Sequence, residues 1–320
     1  MRWIPLFALV GCVDVDAPVD PDDTDVVELA VPPGATARGL TETLVNDGLV
    51  PSALTWRIAL RRLDAGCLKA GRHAVRRSMT LRELVDTLCG PPLPEDVPFT
   101  VVEGWRIADV DAALAAEGWI EPGAYARVAT TKTVPAPFEV TGPSYEGYLF
   151  PETYRVVPGG FDPGALVERQ LATFHERFVV PHGAELGGRT LHDVVVMASM
   201  IEREEPTPAQ RPIVAGILWK RLDAGWNLGV DATSRYTLSD WNDRGLFLRQ
   251  LRDPDDVYNT RLRGGLPPTA IGSPGLVTLL AAIRPEPSDF WYYLHDSSGT
   301  FHGARDSAGH EANRSRWNVY

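Results

Sequence analysis

Eight consecutive residues, Val194-Val195-Val196-Met197-Ala198-Ser199-Met200-Ile201, carry no charge, and Glu202-Arg203-Glu204-Glu205-Pro206 follows at once. Upstream, Thr190-Leu191-His192-Asp193 has an acid three positions after a threonine, which is the pattern of a capping box opening a helix. A helix over about 191–205 is therefore expected. At about 100° per residue, Glu202 falls on the stripe of Val195, Ala198 and Ser199, Glu204 points roughly away, and Glu205 lies at the edge. Glu202 then becomes a carboxyl at the end of an apolar stripe, where desolvation favours the neutral acid and suits a group that donates a proton and later recovers it. The same four charges also read as a solvated helix end stopped by Pro206. From the residues alone both readings stand.

Around this helix the chain alternates short strands and helices, an α+β pattern. A strand is expected at 26–30, helices at 36–47 and 53–63, a return strand at 70–75 and a helix at 81–88, closed by the proline cluster Pro91-Pro92-Leu93-Pro94. The grammar repeats with a strand at 99–102, the turn Glu103-Gly104 and a helix at 107–116. Further helices are expected at 163–178, 191–205 and 213–222, and a strand at 290–294. The last hundred or so residues are loop-rich and aromatic, as suits the rim of a cleft.

With 320 residues and 44% hydrophobic content the chain can build two cores. Its net charge of −11 opposes binding to a phosphate backbone, so nucleic acid is not an expected partner. Part of that acidity is local: Asp14, Asp16, Asp20, Asp22, Asp23 and Asp25, with Pro18 and Pro21, read as a flexible tether over 13–25. Before it, Arg2 precedes a short apolar run ending Leu9-Val10-Gly11-Cys12, which resembles a bacterial lipobox. The run is too short to span a bilayer, which takes roughly 20 residues. The expectation is a lipoprotein signal peptide over 1–12 with Cys12 lipidated, hence an extracytoplasmic, membrane-anchored protein. Cys67 and Cys89 then form an even pair, either bridged in an oxidising compartment or simply packed.

The seven histidines show no metal-ligand spacing, and neither a P-loop nor a G-x-S-x-G elbow occurs. No cofactor and no metal is expected.

Longer blocks carry a resemblance. Tyr145-Glu146-Gly147-Tyr148-Leu149-Phe150-Pro151-Glu152-Thr153-Tyr154 is similar to the L-E-G-Y-L-F-P-D/E-T-Y block of the MltG-type (YceG-like) endolytic murein transglycosylases. Ala198 to Glu204 resembles their A-S-I/M-I/V-E-K/R-E block, and Tyr258-Asn259-Thr260 and Gly265-Leu266-Pro267-Pro268 follow in family order. Two blocks depart from the pattern. The glutamine of Q-S/T-D-P-T is replaced by Gly229, while Asp231, Thr233 and Tyr236 remain, and His310 lies two positions later than the family's late histidine.

The resemblance implies a LysM-like module over 26–94 and a mixed α+β catalytic domain over 95–320. It implies Glu202 as the single acid/base, and Glu146, Tyr148, Asp231, Thr233, Tyr258, Asn259 and Thr260 as substrate-binding residues. The implied reaction is endolytic cleavage of the β-1,4 bond between N-acetylmuramic acid and N-acetylglucosamine, leaving 1,6-anhydro ends and terminating nascent strands beside peptidoglycan synthases. The rivals are a muramidase using Glu202 with Glu146, Glu152 or Asp231, and an inactive peptidoglycan-binding scaffold.

Overall fold

Val27-Glu28-Leu29-Ala30-Val31 alternates in polarity, and in the computed structural model, which describes residues 14–319, it forms strand β1 (Val27–Val31) with Leu29 and Val31 buried. Cys12 lies outside the described residues. The chain divides between Glu95 and Asp96 into two units.

In the first unit β1 pairs antiparallel with β2 (Gly71–Val75), Leu29 opposite His73. Three helices complete it: α1 (Thr41–Asn46), α2 (Ala53–Ala59) and α3 (Leu81–Cys89), the last opened by a Thr80/Glu83 capping box. Leu29, Leu44, Trp56, Val75, Leu84 and Leu88 meet in its core. The acidic segment expected as a free tether is instead laid along this unit. Val15 is buried in the core, Asp16 pairs with Arg82 and Asp23 with Arg77, both at 2.8 Å. Composition sees the negative charge but not the cations that a fold places opposite it.

Cys67 and Cys89 are disulfide-bonded, with Cα atoms 5.1 Å apart. Closing a loop over a separation of 22 residues restricts the unfolded chain by about 3 kcal/mol. The C67S/C89S variant should therefore unfold at lower urea than the oxidised protein, by that free energy, and should lose its sensitivity to reductant. Coincident unfolding curves would remove the bridge from the stability of this unit.

The second unit is mixed α+β. β3 (Val97–Thr100) pairs antiparallel with β4 (Thr153–Val156), and between them lie α4 (Ile107–Ala116) and α5 (Ala124–Thr131). α6 (Pro163–Phe174) runs through a wider turn at His175–Val179 into the short α7 (Val180–His182). The central α8 (Leu191–Glu204) follows, with every residue from Val194 to Ile201 buried, packed on α9 (Arg211–Asp223) and α11 (Leu276–Ile283). Trp219 Nε1 donates to Ala282 O at 2.9 Å and ties α9 to α11. α10 (Arg244–Gln250) precedes the loop-rich region, and β5 (Tyr292–His295) pairs with β6 (Phe301–Ala304) beneath α12 (Ser307–Trp317).

Helices α5, α10 and α12 were not expected from periodicity. α5 starts only because the Asp111 carboxylate, from α4, accepts the N–H groups of Gly123 and Ala126. α12 buries none of its residues and so has no apolar stripe to reveal it.

Candidate active site

α8 begins where the sequence predicts: Thr190 accepts from Asp193 N, and the Asp193 carboxylate accepts from Thr190 N. Its far end is not a solvated terminus, because all four charged side chains are engaged. The Glu202 side chain is 5% exposed; Oε1 pairs with Arg211 Nη2 at 2.8 Å, while Oε2 accepts from Gly275 N at 3.0 Å and from the Thr278 hydroxyl. Arg211 Nη1 donates in turn to Thr278 Oγ1, and its Nε to Glu205 O. The carboxyl expected at the end of a bare apolar stripe is thus held by a buried cation, a hydroxyl and a backbone N–H at the start of α11. These donors come from α9 and α11, so only the packing of three helices assembles them.

Glu103 is the second carboxylate here. A Cβ on Gly275 would lie 2.0 Å from Glu103 Oε1, so the two are in direct contact and only glycine fits. The Glu103 carboxyl is held above its ordinary range by partial burial, then by the negative charge of Glu202, against the opposing pull of Arg211. Backbone pairing fixes the approach: Gly104 N donates to Ser273 O and Ser273 N to Trp105 O.

Of the neighbours of Glu202, Glu204 and Glu205 are hydrogen-bonded, whereas Arg203 is held by an aromatic ring and its buried Nε has no hydrogen-bond partner among the described residues. Arg203 lies over the Trp241 ring at 3.6 Å. Glu204, bonded by Ala232 N and the Tyr293 hydroxyl, is raised by burial and then by the charge of Asp231. Glu205, placed by helical geometry at a stripe's edge, is fully buried and accepts from Thr207 N, with His295 Nε2 at 2.8 Å from its other oxygen. Substituting it is therefore a core change rather than a surface one.

The residues expected to bind substrate divide. Tyr148 is 1% exposed, packs against Phe138 and Phe174, and shares a hydrogen bond with His192, so it belongs to the core. Asn259 is buried; its amide donates to the carbonyls of Gln250, Leu251 and Asp253 and holds a loop. Thr233 and Thr260 are buried and bonded to each other and to Val230. None of these four has surface to offer a glycan. Short-range pattern marks a residue as special without distinguishing contact with substrate from support of a loop. Asp231, paired with Arg261, and Tyr258, bonded to Thr269 and packed on Tyr236, keep exposed surface.

Glu146 is 2% exposed, so it too is a positioning group rather than a surface contact. Both its oxygens accept from Ile107 N at 3.2 Å, at the start of α4, and Oε2 accepts from the Tyr236 hydroxyl at 2.9 Å. The adjacent Gly147 is required where its loop meets α8: a Cβ there would lie 2.4 Å from Ala270 Cβ and 2.7 Å from Val195. Burial raises the Glu146 carboxyl from 4.5 to about 7. Such a group contributes its full stability below about pH 4.5 and loses it as pH rises through about 7, a change of about 3 kcal/mol. Wild type should therefore lose thermal stability relative to Glu146→Gln between pH 4.5 and 8. Parallel melting profiles of the two proteins would show that Glu146 does not titrate in this range.

Sequence reasoning missed Arg211, Thr278, Gly275, Glu103 and His295. Faint signals existed for Glu103, in the turn between a strand and a helix, and for Gly275, in the Ser273-Pro274-Gly275 turn that follows the Gly265-Leu266-Pro267-Pro268 block, and none for the others. Nor does cavity size point to this site. A cavity of about 680 Å³ lies at the far ends of α9 and α11, lined in part by Trp219, Lys220, Pro285 and Trp291, and includes none of the Glu202 partners. Among the described residues no cluster of His, Cys, Asp or Glu could hold a metal ion, and no helix is long and apolar enough to cross a membrane.

The chain is 25% identical over 301 residues to the endolytic murein transglycosylase of Bacillus subtilis, covering 88% of this chain and 82% of that protein. It is 24% identical over 327 residues to the one of Streptococcus pneumoniae serotype 2, where it covers 92% of this chain but only 59% of the relative's length. The crystal structure of a yceG-like protein from Listeria monocytogenes shares the fold, with a TM-score of 0.58 at 20% identity over 90% of this chain and 99% of that one. The model of the YceG-like family matches residues 29–316, nearly the whole of what has been described, and the chain belongs to that family.

Proposed function

We propose that this protein is a peptidoglycan lytic transglycosylase that cleaves the β-1,4 bond between N-acetylmuramic acid and N-acetylglucosamine inside glycan strands, with Glu202 as acid and base. The observation that carries the proposal is the Glu202 carboxyl, held in one orientation by Arg211, Thr278 and Gly275 N in a family whose curated relatives are named endolytic murein transglycosylases. Protonated Glu202 gives its proton to the glycosidic oxygen as the bond from that oxygen to the anomeric carbon breaks. The 6-hydroxyl of the same muramic acid forms the new bond to that carbon, and its proton returns to Glu202. Because the nucleophile belongs to the sugar, orientation takes the place of a second carboxylate. Arg211 and the Gly275 N–H at the start of α11 supply a preorganised positive potential that stabilises the carboxylate left on Glu202 as its proton departs. Asp231 and Tyr258 would contact the strand, while Glu146, Thr233, Asn259 and Thr260 support the loops that present them.

The remainder of the reading extends from this reaction. Its substrate would place the protein outside the cytoplasm, attached through a lipid on Cys12, beside the synthases whose strands it terminates. The strand–helix–helix–strand order of β1, α1, α2 and β2 supports a LysM-like reading of the first unit.

Glu103 favours a second reading, since a carboxyl close enough to feel the charge of Glu202 could activate water. Mass spectrometry of muropeptides released from purified peptidoglycan separates the two. Anhydro-muramic ends support the transglycosylase; reducing muramic ends, with loss of activity in Glu103→Gln, would replace it with a muramidase.

A further inference from the structure

The first unit contains a feature that the cleavage reaction does not use. Arg38, Thr41, Arg57 and Arg61 line a cleft of about 440 Å³. Among the described residues no carboxylate pairs with any of the three arginines, and none lines the cleft. The contrast within the same unit is sharp, because Arg72, Arg77 and Arg82 pair with Glu28, Asp23 and Asp16. Acidic residues are abundant there, yet the fold directs them elsewhere.

Arg57, in the last turn of α2, and Arg61, in the turn that follows it, both line this cleft, and like charges gathered there repel. Arg57, in the last turn of α2, gains from the negative end of the helix, which offsets part of its cost. That gain accounts for neither Arg61, beyond the helix end, nor Arg38, which arrives from the loop before α1 to face them. Leu54, on the same side of α2, is 67% exposed. Three guanidinium groups lining one cleft form a set of donors matched to the tetrahedral oxyanion of a phosphate group, which accepts paired N–H donors from arginine, while the Thr41 hydroxyl in its wall donates to Arg38 O.

We propose that this cleft is a binding site for phosphate groups, taken either from the headgroups of an anionic lipid surface or from a soluble phosphate. The proposal does not rest on the cleavage reaction, and Glu202 plays no part in it. Occupation by a phosphate would remove the repulsion among the three arginines.

The test uses the full-length chain and two probes: vesicles of phosphatidylglycerol and phosphatidylcholine, with pure phosphatidylcholine vesicles as the neutral reference, and inorganic pyrophosphate in solution. The wild type should sediment with the anionic vesicles, or bind pyrophosphate by calorimetry, and lose that affinity as salt is raised. Arg38→Gln, Arg57→Gln and Arg61→Gln combined should weaken binding at least about tenfold, following loss of two or three charge-assisted contacts. A second triple variant, Arg127→Gln, Arg244→Gln and Arg249→Gln, changes net charge equally at exposed positions outside the cleft and should bind as wild type. Binding to vesicles alone assigns the lipid source, and binding to pyrophosphate assigns the soluble one. The proposal is overturned if the wild type binds neither probe, if the cleft variant binds as well as wild type, or if the two triple variants weaken binding equally.

Discussion

Glu202→Gln should fold, at a lower Tm than wild type because buried Arg211 loses its anionic partner, yet release anhydro-muropeptides from isolated glycan strands at least about a thousandfold more slowly. Gln retains the shape of the carboxyl, and its carbonyl oxygen can still accept from Arg211 or from Gly275 N. It can neither give a proton to the leaving oxygen nor take one from the attacking hydroxyl. Since the mechanism assigns both transfers to one group, no second acid/base is left to share the work. The comparison requires rates on the same strands and a melting curve for each protein. A folded variant that still makes anhydro products at near the wild-type rate would exclude Glu202 as the acid/base.

Arg211→Met should strongly destabilise the second unit. The Arg211 and Glu202 side chains are 7% and 5% exposed, and Arg211 also bonds Thr278 and Glu205 O. Removing one member of a buried pair leaves the other without compensation, at a cost of about 3–5 kcal/mol. For a unit of this size that corresponds to a fall of about 10 °C in Tm. Activity should fall as well, by about a hundredfold, as the carboxyl loses its orientation. The decisive measurement is the double variant with Glu202→Gln: replacing both charges should restore much of the lost Tm while leaving activity absent. If the double variant melts at the sum of the two single effects, Arg211 and Glu202 are not energetically coupled and the pair is not what holds the site.

How much of this was legible in the sequence follows from the range over which each feature is determined. α4 at 107–116 and α8 at 191–204 were readable because capping groups and apolar spacing are local, and β1 and β2 as separate strands because their residue patterns are local too, although their pairing across about 40 residues is not. Glu202 could be singled out for the same reason, as the first charge after a buried run. The linear pattern did not reveal Arg211, Thr278, Gly275 or Glu103, and it misjudged Glu205, Tyr148 and the acidic segment at 14–25. Those outcomes depend on partners far along the chain: Thr278 meets Glu202 across 76 residues, and His295 meets Glu205 across 90. The sequence by itself determined which helix carries the carboxyl and where that helix stops. Only the packing of α8 against α9 and α11 decided what surrounds the carboxyl, because burial and charge pairing arise from contacts between elements whose relative placement no local spacing encodes.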